Sequence, residues 1–228
     1  MPFVLKSIAG KFTRYVIYDV GSKDNTRDII EWFEEAEKHR AEFFIRYLPM
    51  VPREVQGCFR NSQIIESQSN YYLIIDGDEI WSGKALEQLP LAISNMENSN
   101  GKIYGVCRRR EISYDLTMAY SEIRTHHRIY SSQKAYWQGS HPGEEAVVPQ
   151  KPSREVDMPS ILINHFHNTL RSPTEDIALK RIERKGQKTY HPGELISFNL
   201  LEELPILKAP IENFPVSPIL NELWRDTL

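Results

Sequence analysis

Residues 71–80 read YYLIIDGDEI, five aromatic and aliphatic side chains followed at once by Asp76, Asp78 and Glu79. A short apolar run bounded by turn formers reads as a buried strand. Carboxylates set so close together repel one another, and their burial is costly unless a positive charge compensates it. The strand therefore predicts acids held rigidly at a sheet edge to meet a cation, or a substrate that carries one. In an extended turn, residues two apart point the same way, so Asp76 and Asp78 can offer oxygens to one ion while Gly77 leaves room at the backbone. Oxygen ligation suits Mg²⁺ or Mn²⁺. A lone D-x-D arises in many surface turns; its place after an apolar strand is what gives it weight here.

Working upstream, residues 14–20 (RYVIYDV) predict a strand that ends in the turn-rich cluster GSKDNT. Ile29, Ile30, Trp32, Phe33 and Ala36 then recur at helical spacing, with Glu31, Glu34, Glu35 and Lys38 on the other face. Residues 43–48 read as a second strand, closed by Pro49 and Pro52, and Val55, Cys58, Phe59 and Ile65 mark a helix over 53–68. Three strands separated by such helices predict a parallel, doubly wound sheet, in which ligands bind beyond the carboxyl ends of the strands. Asp19 and the Asp76, Asp78, Glu79 group then share one rim. Ser22, Asp24 or Asn25 can cap the helix after GSKDNT, whereas Asp19 lies inside the strand end, where a turn has no need of it.

Downstream, residues 84–96 read as a helix and residues 102–107, 126–131 and 158–166 as strands joined by longer loops, which predicts a mixed sheet for this half. Ser172, Pro173 and Glu175 open a helix that Gly186 closes. Residues 1–190 form one domain in this reading. Residues 191–228, with Pro192, Pro205, Pro210, Pro215 and Pro218, form a tail that lies against the domain or a partner and offers a route to a homo-oligomer.

The 228 residues are 40% hydrophobic and 26% charged, ordinary globular composition, and 28 basic against 31 acidic residues give no charge case for nucleic acid. Arg108, Arg109 and Arg110 read as a solvated strand end. Cys58 and Cys107 lack metal or redox spacing and read as buried free thiols. No apolar run reaches the ~20 residues of a membrane span, and a cytoplasmic location is expected.

Two further groups carry chemistry. His126 and His127, His141, and the pair His165 and His167 in INHFH include alternating imidazoles after a strand, and Mn²⁺ accepts imidazole. The loop WQGSHPGEE, residues 137–145, places Trp137 where it could stack on a flat ligand and offers two glutamates as a general base; otherwise it is a surface hairpin.

The order of these motifs resembles the family-two glycosyltransferases of the A-type nucleotide-sugar fold, across residues 2–186. The residues that carry the resemblance are DVGSKDNT for the family's D-x-S-x-D-x-T loop, DGDE for its D-x-D, then RTHHRIY, WQGSHPGEE and INHFH in the second half. It implies an α/β fold with a mixed central sheet flanked by helices, and a UDP- or GDP-sugar donor with a glycan, lipid or protein acceptor. It further implies that Asp19, Gly21, Ser22, Asp24 and Asp76 face the nucleotide, Asp78 and His165 hold Mn²⁺ or Mg²⁺, and Glu144 or Glu145 is the base for inversion. Trp137 and His141 would lie on the acceptor side. The family's opening strand, ending in Asn-Glu, has no counterpart in these residues, and MPFVLKSI resembles the helix after it; either the sequence starts late or is truncated, or the protein does without that strand and the sheet would lack a central one. The rival readings are a glycosyltransferase-like scaffold without turnover and, less favoured, a metal-dependent hydrolase.

Overall fold

The computed structural model describes residues 1–49, 55–99, 104–112, 118–133, 135–138, 145–147, 155–166 and 194–207. In chain order the elements that position the site are α1 (Pro2–Ile8), β1 (Arg14–Asp19), α2 (Thr26–Glu37), β2 (Glu42–Tyr47), α3 (Gln56–Ser67), β3 (Tyr71–Leu73) and β4 (Glu79–Trp81). There follow α4 (Gly83–Glu87), α5 (Leu89–Asn98), β5 (Tyr104–Glu111), β6 (Met118–Tyr120), β7 (Arg124–Ser131), β8 (Tyr136–Gln138), β9 (Glu145–Val147), β10 (Glu155–His165), β11 (Leu195–Ser197) and α6 (Leu200–Glu203).

β1 and β2 pair in parallel, from Arg14 opposite Glu42 to Asp19 opposite Tyr47, with α2 as the crossover. Residues Ile29, Ile30 and Phe33 of α2 are buried, a spacing that lays one stripe of the helix on the sheet. Ala36 is solvent-exposed and Glu37 takes the buried position, where its carboxylate accepts a 2.7 Å bond from the Gly10 amide. The stripe drifts because a buried acid is tolerated once a backbone donor satisfies it.

The parallel expectation fails at the third strand. β3 pairs antiparallel with β7, at the edge of a five-stranded sheet ordered β3-β7-β5-β10-β4. Within that sheet β5 and β10 are parallel and the other pairs antiparallel. The sheet is therefore mixed, and the class α/β. An apolar run announces a buried strand, but its side chains do not name the partner strand. Among the described residues no ladder joins β1 and β2 to the five-stranded sheet.

What unites the two sheets is a shared pair of faces. Tyr15 and Ile17 of β1, and Tyr71, Leu73 and Ile75 of the third strand and its extension, contribute to one core with Leu5, Ile30, Phe33, Trp81, Leu86, Met96 and Ile163. Alternation turns Tyr18 and Tyr72 to the opposite face. There α3 covers Tyr18, whose hydroxyl donates to Glu66 at 2.7 Å, and Tyr72 stacks on Tyr130 with ring centroids 5.4 Å apart. A second core of Phe3, Val4, Ile80, Ile112, Phe166, Phe198, Leu200 and Leu204 seats residues 194–207 against α1, β4 and the end of β10.

The predicted helix over 84–96 is broken into α4 and α5 at Gln88, with Pro90 in the first turn of α5; a proline there lacks only an N–H that a first turn leaves unpaired. The helix expected over 172–186 and the boundary at 190 lie outside the described residues. No helix among them is long and apolar enough to cross a membrane. Cys107 is buried as expected, but Cys58 is exposed on α3.

Candidate functional site

Three adjacent strands line up the acids and the imidazole. His165 of β10 lies opposite Glu79 of β4 on one side and opposite Glu111 of β5 on the other. Directly opposed residues project from the same face of a sheet, so this row turns Glu79, His165 and Glu111 together. The Asp76–Glu79 segment is a tight turn closed by the Glu79 amide donating to the Asp76 carbonyl at 3.0 Å, and the Phe166 amide donates to the Asp78 carbonyl at 2.8 Å. These backbone bonds bring the DGDE turn against the end of INHF.

Asp78 is buried, not turned out to water. Its Oδ1 stands 3.5 Å from Nε2 of His165, and Nδ1 of the same ring lies 2.6 Å from Oε2 of Glu111. Burial works against the imidazolium, yet hydrogen bonds to Asp78 and Glu111 outweigh it and push His165 up to about 9. Glu111 also meets Arg109 at 2.9 Å. The amino group of Met1 is buried and pushed down to about 6 by desolvation, while Asp78 and Asp24 pull it the other way.

Asp76 belongs to a different arrangement. Its Oδ1 accepts from Arg60 at 3.0 Å and its Oδ2 from Arg128 at 2.5 Å, and Arg128 also bonds Oε1 of Glu79. Burial would raise the Asp76 carboxyl, but Arg128 and Arg60 hold it well below the usual carboxylate range. Glu79, wholly buried, is pushed up by desolvation while Arg128 pulls it back. Asp76, Glu79 and His126 bring three ligand atoms within 4.8 Å of one another. Arg128 already supplies the cation there, and burial together with Arg128 and Arg109 drives His126 down to about 3, a neutral ring. Asp78 with His165, one oxygen and one nitrogen 3.5 Å apart, is a second pair that could hold a divalent ion, provided the imidazole gives up its Nε2 proton to it. Two ligands each ~2.1 Å from a shared ion stand roughly 3 Å apart.

Arg128 escaped the sequence reading. Its neighbours Ile129 and His127 face Gly105 and Val106, consecutive residues of β5, so Arg128 is the extra residue of a β-bulge. A bulge re-aims a side chain, and the periodicity of RTHHRIY carries no sign of it. Arg60, one turn into α3, was legible only as a polar position and Glu79 only as a strand-end acid, while Glu111 lies beyond the strand expected over 102–107 and was not singled out.

Other expected residues have local partners. Asp19 Oδ1 accepts from the Ser22 amide at 3.2 Å, so the turn does use it, contrary to the sequence reading. Asp24 Oδ1 accepts from the Thr26 amide at 3.0 Å, and Asn25 is the cap residue without a side-chain cap bond. Gly21 has φ of 88°, a backbone conformation that explains the glycine without a ligand. The room over Gly77 is taken by Met1, whose methyl carbon would stand 3.2 Å from an added Cβ.

Residues 136–138 (β8) pair antiparallel with 145–147 (β9), Gln138 opposite Glu145. The Trp137 ring meets Tyr130 at a 57° tilt, with centroids 5.5 Å apart, and Arg60 lies over it at 5.8 Å. The Asn61 side chain clasps its backbone, accepting from the Trp137 amide at 2.7 Å and donating to its carbonyl at 2.9 Å. His141, Glu144 and His167 lie outside the described residues, as does the side chain of Glu145. Arg108 and Arg109 are tied to Asp157 and Glu111, and Arg110 lies over Phe198, so the cluster is internally paired.

Compared with known protein families and with curated proteins, the chain matches none.

Proposed function

We propose that the protein is a metal-dependent inverting glycosyltransferase that moves a sugar from a UDP- or GDP-sugar to an acceptor hydroxyl on a glycan, lipid or protein. The observation that carries the reading is the buried Asp78 carboxylate facing the buried His165 imidazole at the ends of adjacent strands. The likeness of DVGSKDNT to the family's D-x-S-x-D-x-T loop supports it. Asp78 and His165 would hold Mn²⁺ or Mg²⁺, which when bound supplies positive charge to a departing nucleoside diphosphate without proton transfer. Arg128 keeps Asp76 ionised and fixed by a charge-assisted bond, leaving its 37% exposed side chain an acceptor for a ribose hydroxyl. Glu144 or Glu145 remains the assigned base.

A second reading, a glycosyltransferase-like scaffold, is favoured by one observation: both oxygens of Asp76 are engaged by arginines. Incubation with a panel of nucleotide sugars and Mn²⁺ separates the readings. Slow release of nucleoside diphosphate, abolished by Asp78→Ala, is expected; release unchanged in that variant removes the metal role. UDP binding with no turnover on any acceptor supports the scaffold, and cleavage of simple phosphate esters without nucleotide binding supports a hydrolase.

A further inference from the structure

We propose that Glu111 is a positioning residue for the metal pair: by accepting a hydrogen bond from Nδ1–H of His165 it keeps that proton in place and turns Nε2 toward Asp78, so that Nε2 is the nitrogen that gives up its proton when an ion binds. The assignment rests on the metal-dependent reading above. Its basis is geometric. Glu111 and His165 are directly opposed on parallel strands, both are buried, and Oε2 lies 2.6 Å from Nδ1 while Nε2 faces Asp78 Oδ1 at 3.5 Å. The other oxygen of Glu111 forms an ion pair with Arg109 at 2.9 Å, a contact that opposes its swinging to the ion itself. A carboxylate on the far nitrogen of a ligating histidine sets the tautomer and ring orientation and raises ligand basicity. The row Glu111, His165, Asp78 thus has the order of an outer acid, an imidazole and a first acid, with the two acids on opposite ring nitrogens.

Mn²⁺ affinity, read from the loss of the free-ion electron paramagnetic resonance signal, tests the assignment. Glu111→Ala is expected to weaken Mn²⁺ by about 10–100-fold, while Glu111→Gln, which keeps an acceptor for Nδ1–H, recovers part of the loss. Circular dichroism melts confirm that both variants are folded. In Cd²⁺-loaded protein with ¹⁵N-labelled histidine, His165 is expected to retain its proton on Nδ1. Wild-type affinity in Glu111→Ala, or a proton retained on Nε2, overturns the positioning role while leaving the metal reading intact. If wild-type protein binds no Mn²⁺, or binds it unchanged after Asp78→Ala, the metal reading fails and the positioning role with it.

Discussion

Arg128→Met is expected to expose how strongly the site depends on one guanidinium. The side chain is nearly buried and bonds both Asp76 and Glu79; Glu79 is 0% exposed, so it cannot turn to water when its partner is lost. Breaking a buried pair by removing one member costs about 3–5 kcal/mol, because the remaining charge is uncompensated. Asp76 contributes little to this cost, since it is partly exposed and retains Arg60. With a urea m-value of about 2–3 kcal/mol/M, the midpoint falls by roughly 1–2 M. The loss depends on pH with a definite sign. Burial already holds Glu79 above its ordinary value of 4.5, and without the guanidinium the folded value rises further. A carboxyl that binds its proton more tightly when folded is fully tolerated below the unfolded value, and its stabilisation is lost as pH climbs through the folded one. Relative to wild type, the variant therefore weakens progressively as pH rises above the ordinary value of 4.5. Adding Glu79→Gln removes the stranded charge and restores most of the loss. Urea unfolding at several pH values reads all three effects. A cost under about 1 kcal/mol, flat with pH and untouched by the second substitution, would refute the buried-charge account.

Asn61→Ala removes both bonds to the Trp137 backbone and is expected to cost about 1–3 kcal/mol locally. Hydrogen exchange of the Trp137 amide should accelerate while β5 and β10 keep their protection; unchanged exchange at Trp137 would show that the clasp is dispensable. Titration with a thiol reagent should modify exposed Cys58 rapidly, whereas Cys107, buried and with its thiol pushed up to about 12 by desolvation, should react only on unfolding. Two fast equivalents in native protein would contradict that burial.

The sequence by itself determined the elements whose code is local. Helical spacing placed α2 and α3, and β-rich runs placed β1, β2, β5, β7 and β10. INHFH marked His165, and the alternation of acids in DGDE marked Asp78. Three things were decided only by tertiary structure. β3 chose β7 over β1, because strand pairing is settled by which edge lies in reach. β4 is three residues long, too short to show a period, and exists because β10 offers it an edge. Arg128 and Glu111 reached the site through a bulge and a strand register, both properties of two chains side by side. Periodicity records which face of a segment is buried; it holds no information about what stands across from that face, and the charges of this site are balanced across strands.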